Sequence, residues 1–388
     1  MKKALHIKNN EIGESVNDSP ISLFLPGFTS RYAMEGLKVE EVLPGKFLLS
    51  DQGTPQERGN DYVLGASNAS LTLASLTPRT HFKRALDLGA GSGIQSLFLS
   101  THVDEIIATD TNARALELAQ RSAQISDVHL ELRQGSLYEP VVGEKFDLIV
   151  CNPPFVIAPA ALFEYRDAGM DGDSVSREIV SKAADFLNDD GWFISLANWL
   201  IKDDWRDRLI EWIAPTGCDA WVVQRERLSA EEYVDLWLDD GGVIDRAAIK
   251  QRWMEYLSPF DGVGFGWIAL HKRDSFFPHR YLEEIPQQLD LLETPLAPAL
   301  LEYFVGADLA HDLEDEEILE RVWVAHPDVI ATGHTLVQTS GLRRAVALDP
   351  EVVARFSEAS FVGEVSATYE GGIDVIRELI RLGLLLPA

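Results

Sequence analysis

The sequence predicts an α/β protein built around a doubly wound, mainly parallel sheet of seven strands. Short apolar strands alternate with helical segments between about residues 81 and 275. The first of these strands ends in a glycine-rich loop, and the second ends in an aspartate that a helix follows. Because strands joined through helices return parallel to their neighbours, these observations together indicate the type of sheet.

Seven segments are predicted as strands because they are short and mainly apolar and alternate with helical patterns: RALDLGAG, EIIATD, VHLELRQGS, FDLIVCN, WFISLANW, CDAWVVQRE and VGFGWIALHKR. Helical patterns lie between them in IQSLFLSTH, NARALELAQRSAQI, SVSREIVSKAADFLNDDG, SAEEYVDLWL and DRAAIKQRWMEYL. Thr111 or Asn112 can cap the second of these helices. Gly191 is expected to end the third.

The composition changes on both sides of this core, which predicts three regions. Residues 1–80 are expected to be an accessory region with turn signals at LPGK and DQGTPQERGN. Residues 81–275 form the α/β domain. Residues 276–388 are expected to form a small α+β domain, for which a winged helix is one candidate form. Its last helix, in DVIRELIRLGLLLP, should stop at Gly383, and the pair in GLRR is expected in a solvated turn rather than on phosphate.

Composition and charge narrow the function classes. The 388 residues contain no apolar run long enough to cross a membrane and no secretory start, so neither a membrane span nor a signal peptide is expected. Cys151 and Cys218 are too few for a disulfide framework and favour a reducing, cytoplasmic setting. No Cys/His cluster has zinc spacing, so no metal is expected. The formal net charge of −28 repels nucleic acid at long range without excluding a local basic patch.

The glycine-rich loop and the aspartate after the second strand form the first candidate site. LDLGAGSG places Gly89, Gly91 and Gly93 between a strand and a helix, so a ligand can approach bare backbone and helix N-terminal amides. Asp110 ends the next strand, where a carboxylate can accept both hydroxyls of a ribose. A tight turn alone also needs glycines, but the aspartate favours a nucleotide-like cofactor. The G-x-G-x-G spacing differs from the G-x-G-x-x-G of dinucleotide sites, although a nicotinamide dehydrogenase could use the same parts.

The tetrapeptide that follows the fourth strand is the second candidate site. Pro153 and Pro154 cannot donate to a sheet and fix φ, so the strand must end there in a rigid turn. Asn152 adds a side-chain carbonyl acceptor, and Phe155 can stack on a flat group. The four residues therefore suit an –NH₂ group on a planar carrier, either an amide or an aromatic amine. A plain strand stop with a buried Phe is the alternative, but the position at the carboxyl edge of the sheet favours a clamp.

Together these motifs, over roughly Val63–Trp199, resemble the class I S-adenosylmethionine-dependent methyltransferases of the NPP(Y/F) type. That group includes the HemK-type glutamine methyltransferases of release factors and the small-domain RNA and DNA amino-group methyltransferases. The resemblance implies a Rossmann-like sheet and S-adenosyl-L-methionine as cofactor. QGSLYEPV carries Ser136 where the family often has Asp, so backbone atoms would contact the adenine. The resemblance assigns the catalytic clamp to Asn152, Pro153, Pro154 and Phe155, and cofactor contacts to Asp87, Gly89, Ala90, Gly91, Ser92, Gly93, Asp110, Ser136, Leu137 and Asn152.

Two kinds of methyl acceptor remain open. YRDAGMDGDSVSREIVSKAADFL resembles a segment of the HemK-type enzymes, which favours a glutamine side chain in a translation protein such as a release factor. Phe155, and the similarity of ISLANW to a strand of ribosomal RNA guanine methyltransferases, favour the exocyclic amino group of an RNA or DNA base. A catalytically silent binding module is the third hypothesis.

Three smaller sets of residues carry expectations of their own. Ser67 and Asn68 are predicted near the front edge of the cofactor. Arg166 and Asp167 could be target contacts, but a surface ion pair is favoured. Four tryptophans are expected in the core rather than as base-stacking groups: Trp192, Trp199, Trp205 and Trp212.

Overall fold

The described chain begins with a hairpin. The computed structural model describes residues 36–53, 61–159, 172–240, 246–286, 295–358, 360–368 and 371–388. Strands β1 (Leu37–Leu43) and β2 (Lys46–Asp51) pair antiparallel. Gly45 between them has a φ of +73°, which only glycine adopts without strain and which agrees with the turn signal in LPGK.

A sheet of eight strands forms the centre of the protein. Its strands are β3 (Phe82–Leu88), β4 (Val103–Asp110), β5 (Glu131–Gln134), β6 (Phe146–Cys151), β7 (Leu187–Ile201), β8 (Asp219–Leu228), β9 (Gly262–His271) and β10 (Arg280–Glu284). From one edge to the other, their order is β5-β4-β3-β6-β7-β9-β8-β10. Only β9 runs against the others, since it pairs antiparallel with both β7 and β8. The predicted mainly parallel, doubly wound sheet is confirmed, and β10 adds an eighth strand parallel to β8.

Helices lie before, between and after these strands. Those of the central region are α1 (Asn68–Leu76), α2 (Ile94–Leu99), α3 (Ala113–Ile125), α4 (Ser174–Lys182), α5 (Trp205–Ile213), α6 (Ala230–Asp240) and α7 (Ala247–Leu257). Asn112 rather than Thr111 caps α3, because its side chain accepts from the amide of Arg114 at 2.9 Å.

The C-terminal part combines short helices with two small sheets. Its elements are α8 (Ala297–Asp312), α9 (Asp315–Glu320), β11 (Trp323–Ala325), β12 (Val329–Thr332), β13 (Thr335–Gln338), β14 (Ala345–Ala347), α10 (Pro350–Ala354), α11 (Phe361–Thr368), α12 (Gly372–Arg381) and β15 (Leu385–Pro387). Strands β12, β13 and β14 form an antiparallel meander, and β11 pairs with β15. Gly383, with a φ of +70°, follows the end of α12 as predicted.

Both faces of the central sheet are buried, as a doubly wound fold requires. Along β6, Leu148 and Val150 belong to an apolar cluster that includes residues of α1 and α8. Ile149 and Cys151, which alternate with them, belong to a second cluster with residues of α4 and α5. The strand is therefore apolar along most of its length until the polar Asn152 that follows it.

Two elements differ from the sequence-based prediction. Gly191 does not end a helix, because α4 already ends at Lys182 and β7 begins at Leu187. Phe146 pairs with Leu187 and Leu148 pairs with Trp192, so β7 carries extra residues as a bulge opposite β6. Helix α5 is absent from the prediction.

The signals of α5 were nevertheless present in the sequence. Asp204 caps it by accepting from the Arg206 amide at 2.9 Å. Trp205 and Trp212 are seven residues apart, about two helical turns, and both are buried in the core. Trp199 of β7 is buried as well, whereas Trp192 is partly buried. The expectation that these tryptophans pack rather than stack on bases agrees with this burial.

The expected solvated turn at GLRR is wrong for Arg344. Its side chain is buried and donates through Nη2 to Glu283 Oε1 of β10 at 2.8 Å, while its guanidinium lies over the ring of Tyr303. Burial alone would raise the pKa of Glu283, but the hydrogen bonds and charge of Arg344 outweigh it and lower that pKa. The partner of this arginine lies 61 residues earlier in the chain, so neighbouring residues gave no sign of the pair.

Asp219, His279 and Asp308 gather where α8 meets the sheet. Arg273 Nε donates to Asp219 Oδ2 at 2.7 Å, and His279 Nε2 lies 2.7 Å from Asp308 Oδ1. The guanidinium thus supplies positive charge to this cluster, which we describe as an ion-pair network. Among the described residues, none of the helices combines the length and apolar character needed to cross a bilayer.

Candidate active site

The carboxyl ends of β3, β4 and β6 meet at one cavity of about 460 Å³. Parallel α/β sheets bind ligands at this edge, outside the ends of the strands. The predicted residues that line the cavity are Gly89, Ala90, Gly91, Ser92, Asp110, Ser136, Leu137, Asn152, Pro153 and Pro154. Asp87, Gly93 and Phe155 are not among the lining residues.

The glycine-rich loop gives the cavity a floor of bare backbone. Gly89 and Gly91 have φ values of +74° and +54°, and a Cβ atom on either would meet no atom within 4 Å. The amides of Gly89 and Ala90 both donate to the Thr109 carbonyl at 2.9 Å, which fixes the loop against β4. The space above these glycines is therefore open to a ligand while the loop itself is held in place.

Gly93 has a different role from the other two glycines. It precedes α2 with a φ of +87°, and a Cβ atom there would lie 3.2 Å from Ala119 Cβ of α3. Gly93 thus permits the close approach of two helices rather than contact with the cavity.

Asp110 ends β4 with its carboxylate at the wall of the cavity. Its Oδ2 accepts from the Gly91 amide at 2.8 Å, and its Oδ1 accepts from the Asn112 amide at 2.8 Å. Burial raises the pKa of this carboxyl, and the backbone hydrogen bonds oppose that rise. Each carboxylate oxygen keeps lone-pair capacity beyond these bonds, so the pair can still accept two hydroxyl groups side by side.

Asp87 lies beneath the loop, fully buried. Its Oδ2 accepts from the Ser96 amide at 2.9 Å and from the Ser96 hydroxyl at 2.7 Å. Burial raises the pKa of Asp87 to about 6, although the two bonds from Ser96 lower it. The carboxylate therefore ties β3 to α2 behind the cavity.

Leu137 has a backbone conformation that is uncommon for its residue type. Its φ is +48°, in the left-handed region that residues other than Gly and Asn rarely adopt. The preceding Gly135 amide donates to the Asp110 carbonyl at 3.0 Å, which draws Ser136 and Leu137 towards the end of β4. Such strained backbone is found preferentially at functional sites.

Asn152 presents an acceptor without a partner. Its Oδ1 atom is buried and accepts no hydrogen bond from any residue in the described part of the chain. A buried carbonyl oxygen left unpaired is unfavourable by about 1–3 kcal/mol. Since Asn152 also lines the cavity, a bound N–H group would satisfy it.

Phe155 lies apart from the other three residues of the tetrapeptide. Its ring meets that of Trp237 from α6 in an edge-to-face contact, with centroids 6.4 Å apart. Tyr233 of the same helix accepts from the Ile157 amide through its hydroxyl at 2.7 Å. Helix α6 therefore holds the chain just after the prolines.

The front wall of the cavity comes from a stretch of the chain in which the sequence predicts only Ser67 and Asn68 as cofactor neighbours. Residues 62–65, Ser67 and Ser70 line it, whereas Asn68 does not. Ser67 and Ser70 form reciprocal capping bonds at the start of α1, and Gln95 Nε2 donates to the Ser70 carbonyl at 2.7 Å. The S-x-x-S capping pattern in ASNAS was the sequence signal for this wall. Arg166 and Asp167 lie outside the described residues.

The fold and the position of the cavity agree with the resemblance seen in the sequence, and the comparisons confirm that this part of the chain resembles class I methyltransferases of the NPP(Y/F) type. The family model described as Methyltransferase small domain matches residues 66–203. That stretch runs from the front wall of the cavity to the end of β7 and so contains every predicted site residue. The assignment of individual residues to cofactor and target stays a prediction.

Three relatives show the range of proteins that share this domain. A release factor glutamine methyltransferase of Geobacter sulfurreducens is 31% identical over 164 residues, which are 37% of this chain and 57% of that protein. A ribosomal protein uL3 glutamine methyltransferase of Bordetella pertussis is 37% identical over 28% of this chain and 41% of its own length. A ribosomal RNA small subunit methyltransferase C of Escherichia coli is 32% identical over 33% of each chain. The matched part of the chain thus spans between a third and three fifths of the length of each of these relatives.

Proposed function

We propose that this protein transfers a methyl group from S-adenosylmethionine to the side-chain nitrogen of a glutamine in a protein of the translation apparatus, such as a release factor. The observation that carries the proposal is the buried, unpartnered Oδ1 of Asn152, set on a proline turn at the same cavity as the glycine loop and Asp110 within the described chain. The acceptor suits an N–H group, and the loop and the carboxylate suit a nucleoside.

The residues present fit S-adenosylmethionine. Asp110 would accept from its ribose hydroxyls, Gly89 and Gly91 would lie against its amino-acid part, and Ser136 and Leu137 would lie beside its adenine. When bound, this cofactor supplies a methyl group on a positively charged sulfur. The open space above the two glycines and the spare lone pairs of Asp110 are the features of this chain that favour the fit.

Asn152 would act on the target nitrogen. An amide nitrogen is a poor nucleophile because its lone pair is delocalised into the carbonyl group. By accepting a hydrogen bond from the target N–H, Asn152 Oδ1 returns electron density to that nitrogen and fixes its direction. Pro153 and Pro154 hold the acceptor rigidly, and orientation of this kind supplies up to about 7–11 kcal/mol in favourable reactions. No strong base is needed before transfer, since the proton leaves the nitrogen afterwards.

Two observations favour a protein amide as the target. The relatives from Geobacter and Bordetella are named as glutamine methyltransferases of a release factor and of a ribosomal protein. The formal charge of −28 opposes the approach of a polyanion. A protein substrate, unlike a nucleic acid, need not be a polyanion and so need not carry this penalty.

The exocyclic amino group of a nucleic-acid base is the second candidate. The Escherichia coli relative is named as a ribosomal RNA methyltransferase. Because a base amine and an amide both place –NH₂ on a flat, conjugated group, Asn152 suits either.

Transfer of tritiated methyl groups into cell extract separates these candidates. We expect label that protease removes and nuclease does not, and S-adenosylhomocysteine should raise the melting temperature of the protein. Asn152→Ala should abolish most of the transfer while keeping that temperature shift. Asn188→Ala is the matched control, because Asn188 donates to Asp147 at 2.7 Å beside the opposite end of β6. Label lost only to nuclease would favour the base amine, and a temperature shift without any transfer would favour a silent binding module.

A further inference from the structure

A second asparagine near the carboxyl ends of the strands has a buried amide group without a hydrogen-bond partner in the described chain. Asn198 of β7 is 2% exposed, and its Nδ2 group donates to none of the residues that the structure describes. Buried amide groups are nearly always hydrogen-bonded, so an unused donor in the interior needs a cause. No contact within the described chain supplies one.

The strand register places Asn198 beyond the point where β6 ends. The last residue of β6, Cys151, pairs with Ser195, three positions before Asn198. Side chains alternate along a strand, so Asn198 shares a face with Leu196 and Leu200. Phe155 packs against the two clusters that contain these leucines. Asn198 therefore lies on the face of β7 that Phe155 helps to cover.

A row of aromatic rings begins beside this position. Asn198 pairs across the strands with Phe265 of β9, whose ring centroid is 5.6 Å from that of Tyr233. Trp237 lies 6.2 Å from Tyr233 and, on its other side, meets the ring of Phe155. A row of four rings thus runs from Phe265, the cross-strand partner of Asn198, to Phe155, which follows the two prolines. The faces of such rings can pack against a flat group.

We infer that Asn198 is a substrate contact, with Nδ2 donating to the carbonyl oxygen of the carboxamide whose –NH₂ donates to Asn152 Oδ1. This inference rests on the proposed function and adds a second contact to the glutamine carboxamide, at its carbonyl oxygen. A carboxamide carries a donor and an acceptor on neighbouring atoms, and the two asparagines offer the complementary acceptor and donor.

The pair also explains how glutamine would be told from glutamate. A glutamate carboxylate has only acceptor oxygens, so one of them would face Asn152 Oδ1, which is also an acceptor. Sites built to bond a polar group reject analogues that leave a buried atom unpaired far more strongly than analogues that differ in size. Asn152 would therefore exclude the acid, while Asn198 orients the amide.

Substitution of Asn198 tests this role. Because its donor has no partner in the described chain, Asn198→Ala should leave the affinity for S-adenosylhomocysteine unchanged and lower kcat/KM for protein methylation about 10- to 100-fold. Asn188→Ala should change neither. Unchanged kcat/KM in Asn198→Ala would overturn the inference and leave the proposed function standing.

Asn198→Asp supplies a readout that a merely structural residue would not give. Burial raises the pKa of a carboxyl, and only its protonated form can donate. Transfer by Asn198→Asp should therefore rise, relative to Asn198→Ala, as the pH is lowered. A constant ratio between the two variants would contradict the donor role.

A binding measurement separates failure of the inference from failure of the function. With S-adenosylhomocysteine bound, addition of N-acetylglutamine methylamide should shift the side-chain NH₂ resonance of Asn198. A shift without methyl transfer by the unsubstituted protein would refute the proposed function but support the contact. A resonance that does not move, or one that moves only with adenosine 5′-monophosphate, would overturn the carboxamide assignment.

Discussion

Replacement of Asp87 by asparagine should stabilise the protein, although Asp87 belongs to the glycine-loop motif. The carboxylate is fully buried under that loop, and burial raises its pKa from 3.8 to about 6. That difference corresponds to about 3 kcal/mol of unfavourable free energy for the ionised form at neutral pH. An asparagine side chain would keep an oxygen that can accept from Ser96 and would carry no charge. We therefore expect Asp87→Asn to raise the free energy of unfolding at pH 7 by up to about 3 kcal/mol.

The sign of the pH dependence follows from the raised pKa. As the pH falls from 7 through 6, the folded protein takes up a proton at Asp87 before the unfolded chain does, so this group increasingly favours folding. The contribution grows by about 1.4 kcal/mol between pH 7 and pH 5. The advantage of Asp87→Asn should shrink by the same amount over that window.

Urea unfolding followed by tryptophan fluorescence measures this difference. Trp199, Trp221 and Trp267 lie buried in the central sheet, so the signal reports on the domain that contains Asp87. Asp189→Asn is the control, because Asp189 is exposed and this substitution removes the same single negative charge as Asp87→Asn. If Asp87→Asn were less stable than the unsubstituted protein at pH 7, the bonds from Ser96 would outweigh the effect of burial and the reasoning would be refuted.

Three further substitutions test other parts of the structure. Asp110→Asn should weaken S-adenosylhomocysteine binding about 10- to 100-fold by calorimetry, since bonds to a charged acceptor contribute about 1.5–3 kcal/mol; unchanged affinity would contradict the ribose assignment. Tyr233→Phe removes the hydroxyl that accepts from the Ile157 amide and so loosens the chain just after the two prolines. The kcat should therefore fall while the affinity for the cofactor is unchanged, and an unaltered kcat would show that Tyr233 does not position this turn. Arg344→Ala leaves the largely buried Glu283 without its ion-pair partner, which should cost about 3–5 kcal/mol in urea unfolding, and a loss below about 1 kcal/mol would show that water reaches the carboxylate.

The features that were predictable from the sequence are the ones that neighbouring residues determine. Alternating apolar strands and helices predicted the sheet, and the positive φ values of Gly89 and Gly91 confirm that the turn after β3 needs glycine. Asp110 could be placed at the same edge because parallel strands end together. The proline pair fixed the end of β6 for a similarly local reason.

The misplaced elements depended on partners elsewhere in the chain. The neighbours of Gly191 predict a helix stop, yet Leu187 and Trp192 on either side of it pair with β6 and place Gly191 within β7. Strand β10 forms because its residues can pair with the open edge of β8, a partner that local propensity does not reveal. Arg344 then finds Glu283 on that added strand.

By itself, the sequence determined the fold class, the glycine loop, Asp110 and the rigid Asn152 turn, because backbone sterics and side-chain periodicity act between close neighbours. Only the tertiary structure decided that residues 62–65 and Ser70 help to close the front of the cavity and that Phe155 turns towards Trp237. It also placed a second amide that has no partner in the described chain, Asn198, on the face that Phe155 covers. These relations join residues that lie far apart in the chain, and they are fixed by how the helices and strands pack together.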